Sequence, residues 1–193
     1  MSNSFLEPNQ KKKNSWGSLL IWIILAVIIR WQVLEPRWIP SGSMIPTLQI
    51  QDKILIEKLT PKFNRITNKE LKRNKIVVFN PPQQLIAAGY DSKSALIKRV
   101  VGLPGDQVEV HNGKLYRNEI AIDEPWIKEP IKYEMEAFII PKNSIWVLGD
   151  NRNNSLDSHL WGALPKEKLI GTAVFRYWPL SKSGLFGSPT LKN

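Results

Sequence analysis

The 193-residue chain contains no cysteine and only two histidines. The first absence excludes disulfides, thiol catalysis and cysteine-ligated zinc, and it leaves the redox compartment open. The second argues against a histidine-rich metal site, because His111 and His159 cannot ligate a metal alone; neither a metal nor a cofactor is expected. Acidic residues are scarce beside basic ones, 17 against 27, for a net charge of +10. That balance suits nucleic acid or an anionic membrane face. The densest basic run, Lys58 to Lys75, nevertheless lacks the aromatic interleaving of a single-strand binder. It reads as a solvated face, and no nucleic-acid partner is expected. At 42% hydrophobic residues the chain has enough apolar material for one core.

Long apolar runs are missing too, with one exception. Residues 1–14 form a polar tail ending in Lys11, Lys12 and Lys13, and from Trp16 to Ile29 the chain reads WGSLLIWIILAVII without a charge. A helix needs about 20 apolar residues to span the hydrocarbon layer, so a span over 15–35 requires Arg30 and Glu35 near the far interface. Arg30 can snorkel there, with Trp16 and Trp31 at opposite interfaces. A cleaved secretory signal is disfavoured because bulky, charged Gln32-Val33-Leu34-Glu35-Pro36 replaces a small-x-small cleavage pattern. A buried helix is disfavoured by the lack of a polar face between Leu19 and Ile29. The expected topology is single-pass, with the lysines on the cytoplasmic side of a lipid bilayer and residues 36–193 outside.

Directly after this stretch comes Pro40-Ser41-Gly42-Ser43-Met44-Ile45-Pro46-Thr47-Leu48. The prolines fix φ and Gly42 opens backbone angles closed to other residues, so the serines sit on a stiff, irregular turn. Such a turn presents a reactive hydroxyl, and it also reads as an ordinary surface loop. Downstream, short branched runs predict strands at 52–58, 74–79, 95–101, 144–148 and 171–178. Asn112-Gly113 predicts a two-residue hairpin turn within 108–116 that exposes His111. The acidic stretch 119–135, with Pro125 and Pro130, predicts an excursion with little regular structure. The fold expected is mainly β, an antiparallel-sheet domain behind one N-terminal transmembrane helix, with a small hairpin subdomain at about 107–142.

On the strand 95–101, Leu96, Lys98 and Val100 share one face. Burial there would lower the lysine pKa and make it a usable general base, whereas an exposed edge lysine would only guard against aggregation. The segment Gly149-Asp150-Asn151-Arg152-Asn153-Asn154-Ser155-Leu156-Asp157-Ser158-His159 is dense in short polar side chains. It could satisfy its own backbone or orient a catalytic lysine. A Ser-His-Asp triad competes, but Asp157 and His159, two apart in an expected loop, would not point the same way; a Ser-Lys pair needs no histidine.

Four stretches, PSGSMIPTL at 40–48, KIVVF at 75–79, LIKRVVGLPGD at 96–106 and GDNRNNSLDS at 149–158, resemble in order the type I signal peptidases, membrane-bound serine proteases that remove signal peptides from exported preproteins. The resemblance implies that Ser43 is the nucleophile and Lys98 the general base. It implies an oxyanion hole from the Ser41 hydroxyl and the Ser43 backbone N–H, with Ser155 orienting Lys98, Asp150 pairing with Arg99, and Met44 packing beside the nucleophile. Partners would be preproteins bearing signal peptides, at the plasma membrane or a thylakoid membrane. Two departures stand out: Asn74-Lys75 replaces Gly-Asp, and His159 replaces an arginine, which unsettles an ion pair with Asp157. A self-cleaving Ser-Lys protease of the SOS-repressor type lacks the anchor and carries a DNA-binding motif absent here. An inactive membrane-tethered binding module would have no need of both Ser43 and Lys98.

Overall fold

The computed structural model describes residues 16–59 and 71–186. The expected tail 1–14 and most of the basic connection after Lys58 lie outside the described residues. The chain opens with helix α1 (Trp16–Val33), whose side chains from Trp16 to Ile28 are all exposed. The helix stops short of the expected 15–35, because Leu34 and Glu35 belong to β1 (Leu34–Trp38), held by an antiparallel ladder to β2 (Lys53–Glu57). Pro36 is tolerated because β1 is an edge strand. Among the described residues no helix is long and apolar enough to cross a membrane.

The large sheet continues with β3 (Ile76–Phe79) and β4 (Leu96–Gly102), between which a short helix α2 (Gln83–Ala87) follows the paired prolines. The chain then leaves for a second sheet of β5 (Gln107–His111), β6 (Lys114–Arg117), β7 (Ile120–Ala121) and β8 (Met135–Ile139). It returns through β9 (Ser144–Leu148), a one-turn helix α3 (Ser158–Trp161), β10 (Leu164–Pro165), β11 (Leu169–Trp178) and β12 (Gly184–Leu185). The large sheet runs β1-β2-β11-β3-β4-β9-β10, with β12 on β11, and the small one β7-β6-β5-β8. Every pairing is antiparallel.

This is the mainly β architecture that the strand pattern predicts. The Asn112-Gly113 turn is a tight hairpin with φ of 51° and 75°, the left-handed angles that asparagine and glycine supply at least cost. His111 is half-buried and stacks on Tyr116 at 3.7 Å, so the exposure expected for it is only partial. The stretch 119–135 is irregular apart from the two residues of β7 and Met135, which opens β8.

β4 positions the site. All seven of its residues are buried, and their alternation feeds separate cores. Leu96 and Val100 pack with Val77, Phe79 and Leu164; Ile97 packs with Ile39, Met44 and Leu48; Val101 joins Val108 and Trp146. One strand thus ties both sheets and the serine turn into one packed body. β11 must pass close to β2 to complete the sheet, and Gly171 permits it: a methyl group there would lie 2.6 Å from the Glu57 carbonyl oxygen. Gly171→Ala is therefore expected to cost about 1–3 kcal/mol, read as a lower urea midpoint with an unchanged slope. An unchanged midpoint would mean that the β2–β11 contact yields without strain.

Candidate active site

The turn 40–48 is held from below by apolar contact. Gly42–Met44 form one turn of 3₁₀ helix, closed by Ile45 N–H donating to the Gly42 carbonyl (3.1 Å). Met44 and Leu48 are fully buried among Ile39, Ile54 and Ile97. Ser43, between Gly42 and Met44, is left just within the surface at 9% exposure. A hydroxyl on so firmly anchored a turn has little freedom to move away from its neighbour.

That neighbour is Lys98. Its Nζ lies 2.6 Å from Ser43 Oγ, and Ser41 Oγ lies 3.4 Å from the same oxygen. Lys98 is opposite Val77 on β3 and shares the face of Leu96 and Val100. At 3% exposure it is no edge lysine. Burial penalises the ammonium and pushes the Lys98 pKa from its ordinary 10.5 down to about 8, although Asp157 and Asp150 nearby work in the opposite direction. No described contact pairs either carboxylate with Lys98 directly.

The loop after β9 closes over the turn. Asn151 N–H donates to the Ser43 carbonyl (3.0 Å) and Asn151 Nδ2 to the Gly42 carbonyl (3.1 Å). Asp150 receives both arms of the Arg99 guanidinium, at 2.8 and 2.6 Å. Arg99 also donates to the Asn74 carbonyl (2.9 Å). Asn74 adopts φ of 67°, so this departure from Gly-Asp keeps a left-handed turn, which asparagine tolerates better than most residues. Gly149 N–H donates to Asp157 Oδ2 (2.8 Å), and a Cβ on Gly149 would sit 2.5 Å from the Ser43 carbonyl oxygen. Only glycine fits there.

Asp157 and His159 do meet, contrary to the expectation from a loop. Asp157 caps α3, accepting from the His159 backbone N–H, and this places His159 Nδ1 2.7 Å from Asp157 Oδ1. His159 also stacks on Tyr133 at 4.1 Å. Ser43 is engaged by Lys98 and Ser41, and His159 by Asp157 and Tyr133. The side chains of a Ser-His-Asp triad are therefore not joined in that order. Ser155 Oγ lies against the Gly149 backbone, buried and without a hydrogen-bond partner among the described residues; the bond to Lys98 that the resemblance implies is not formed in this structure.

Sequence reasoning passed over three contributors. Asn151 stands inside a motif it singled out, where a polar loop gave no sign which side chain would reach back to residue 42. The pairs Arg152–Glu124 and Arg176–Asp52 join residues far apart in the chain. Arg176 also donates to the Thr47 carbonyl (2.9 Å), tying β11 to the end of the serine turn.

The lowered Lys98 pKa has a stability consequence. Between pH 8 and 10.5 the unfolded chain binds more protons than the folded one, so stability rises with pH across that window. Lys98→Met removes the cost of an ammonium in this site. It is expected to raise unfolding free energy by up to about 3 kcal/mol near neutral pH, with the gain fading as pH approaches the ordinary lysine pKa. Urea unfolding of both proteins at several pH values checks this; a gain independent of pH would assign it to packing instead.

Residues 13–178 match the family described as "Signal peptidase, peptidase S26". A protein named "Probable signal peptidase I-1" from Synechocystis sp. is 44% identical over 191 residues, covering 98% of this chain and 95% of the relative. Signal peptidase I of Leptolyngbya laminosa is 42% identical, covering 86% of this chain and 80% of its own. Thylakoidal processing peptidase 1 of Arabidopsis thaliana is 44% identical over 83% of this chain and 46% of that longer protein. With the matched region running from before the apolar helix to the end of β11, the chain belongs to the S26 signal peptidases.

Proposed function

We propose that the protein is a membrane-tethered serine endopeptidase that removes N-terminal signal peptides from exported preproteins with a Ser43–Lys98 dyad. The observation that carries this is the 2.6 Å contact between a buried amine and an anchored hydroxyl. The neutral amine takes the Ser43 proton as Oγ attacks the scissile carbonyl, then delivers it to the departing amine of the mature protein. A water molecule, activated by the same amine, hydrolyses the acyl-enzyme. The Ser43 backbone N–H and the Ser41 hydroxyl stabilise the oxyanion that develops in each step. Asp150, Arg99 and Asp157 hold the loop and strand that carry this pair, and Ser155 and Met44 fill the space beside it.

The free part of β4 offers a place for substrate. The β9 ladder begins at Arg99, and among the described residues Leu96 and Ile97 face no strand on that side. An extended peptide can add there, with alternate side chains entering pockets. By family resemblance those pockets take small residues, as in Ala-x-Ala before the cut.

α1 is assigned as the membrane-inserted element, with its N-terminal side cytoplasmic and residues 36–193 forming the catalytic domain on the opposite face. Its 18 residues extend about 27 Å and by themselves fall short of a hydrocarbon layer of about 30 Å, so the insertion proposed requires local thinning of the bilayer. Its exposed Leu, Ile and Trp side chains then face lipid rather than water. The similarity to a thylakoidal processing peptidase supports a plasma or thylakoid membrane as its location.

Lys98→Arg keeps the charge but cannot shed a proton in this range, and it is expected to lower kcat by at least about 100-fold on a purified precursor. Wild-type kcat/KM should rise with pH toward a plateau above about 8, where the buried amine becomes neutral. Substantial turnover by a well-folded Lys98→Arg protein would transfer the base role elsewhere. In a second test, replacing both alanines of the precursor's Ala-x-Ala with phenylalanine should abolish processing, and undiminished cleavage would refute small pockets.

A further inference from the structure

The irregular stretch between β7 and β8 is more than a connection. Glu124 and Trp126, two residues apart on either side of Pro125, each cover one of the two buried arginines next to the active-site pair. The Glu124 carboxylate takes both terminal nitrogens of Arg152, one at 2.6 Å, and both residues are buried, at 8% and 2% exposure. The Trp126 ring lies 4.5 Å from the Arg99 guanidinium, a cation–π arrangement from which water is excluded. The same strap is fastened again at Asn153, which donates to the Pro130 carbonyl (3.0 Å) and accepts from Lys132 N–H (2.8 Å).

Both arginines lead to the reacting groups within two steps. Arg152 Nε donates to the Gly149 carbonyl (3.1 Å), and the Gly149 backbone rests against the Ser43 carbonyl. Arg99 follows Lys98 on β4 and grips Asp150 with both arms. We infer that Glu124 and Trp126 are positioning residues: through Arg152 and Arg99 they hold the serine turn and the lysine strand at reacting distance, so that the connection between β7 and β8 sets the geometry of the site on the large sheet. This rests on the Ser43–Lys98 reading.

A misplacement of about 1 Å can cost about 100-fold in rate, so loss of the strap should appear in kcat rather than in KM. Glu124→Gln is expected to lower kcat at least about tenfold on a purified precursor, with KM within about twofold. The pH at which activity reaches half its plateau is expected to stay near the wild-type value, because burial, the largest influence on the Lys98 amine, and the opposing Asp157 and Asp150 are all kept in this variant. Trp126→Phe, which keeps a ring over Arg99, should retain most of kcat, whereas Trp126→Leu should not. If Glu124 acts only through Arg152, the Glu124→Gln/Arg152→Gln double variant will be no slower than Arg152→Gln alone.

All rates are taken on the full-length detergent-solubilised protein at a temperature where circular dichroism shows it folded. Wild-type kcat in folded Glu124→Gln, or losses that add in the double variant, would overturn the inference. Should Glu124→Gln not fold, Trp126→Leu alone decides, and an undiminished kcat in it has the same force. Ser43→Ala and Lys98→Met in the same assay separate the two levels: activity surviving in them refutes the dyad, whereas their inactivity beside a fully active Glu124→Gln refutes only the strap.

Discussion

A lysine amine buried against a serine hydroxyl is the constraint on which the rest of the structure depends. An ammonium in aliphatic surroundings is unstable relative to water, and the protein accepts this by letting the group become neutral nearer to physiological pH. β4 makes the burial possible because it is an interior strand, flanked by β3 and β9, with every residue covered. On an edge strand the same lysine would turn into solvent and keep its proton.

Carboxylates close to such an amine would restore its charge, and the site contains two. Each is occupied by another partner. Asp150 is saturated by the Arg99 guanidinium, and Asp157 by the Gly149 N–H, the cap of α3 and the His159 ring. The arrangement keeps these carboxylates satisfied in a dry region, where an unpaired charge is costly, yet leaves Lys98 no direct acidic partner among the described residues. His159 suits this role although it is not a permanent cation. Stacking on Tyr133 and the hydrogen bond to Asp157 fix its ring.

The proposed nucleophile, Ser43, needs the opposite treatment, a fixed backbone and a reachable side chain. Apolar anchoring of Met44 and Leu48 supplies the first from below, and Asn151 supplies it from above by binding residues 42 and 43. Gly149 lets the two backbones touch. The connection between β7 and β8 enters through the same loop, since Glu124 pairs there with Arg152.

Much of this was legible in the order of residues. Alternation along 95–101 placed Lys98 among aliphatics, Asn112-Gly113 located the hairpin, and proline-bounded serines marked a stiff turn, because local geometry is encoded by neighbours within a few positions. The end of the helix at Val33 was not legible. The run Leu34-Glu35-Pro36-Arg37-Trp38 has no strand pattern of its own and becomes one only by pairing with β2. Nor could the contact of Asp157 with His159 be read, since it depends on a one-turn helix too short to show a period. The burial of Lys98 on an interior strand, and the ion pair of Glu124 with Arg152, join segments brought together only when the sheets assemble. Sequence alone determined the resemblance to the signal peptidases and the local elements that carry its motifs; tertiary structure decided which groups meet, because hydrogen bonds and burial depend on distances across the fold that no local pattern specifies.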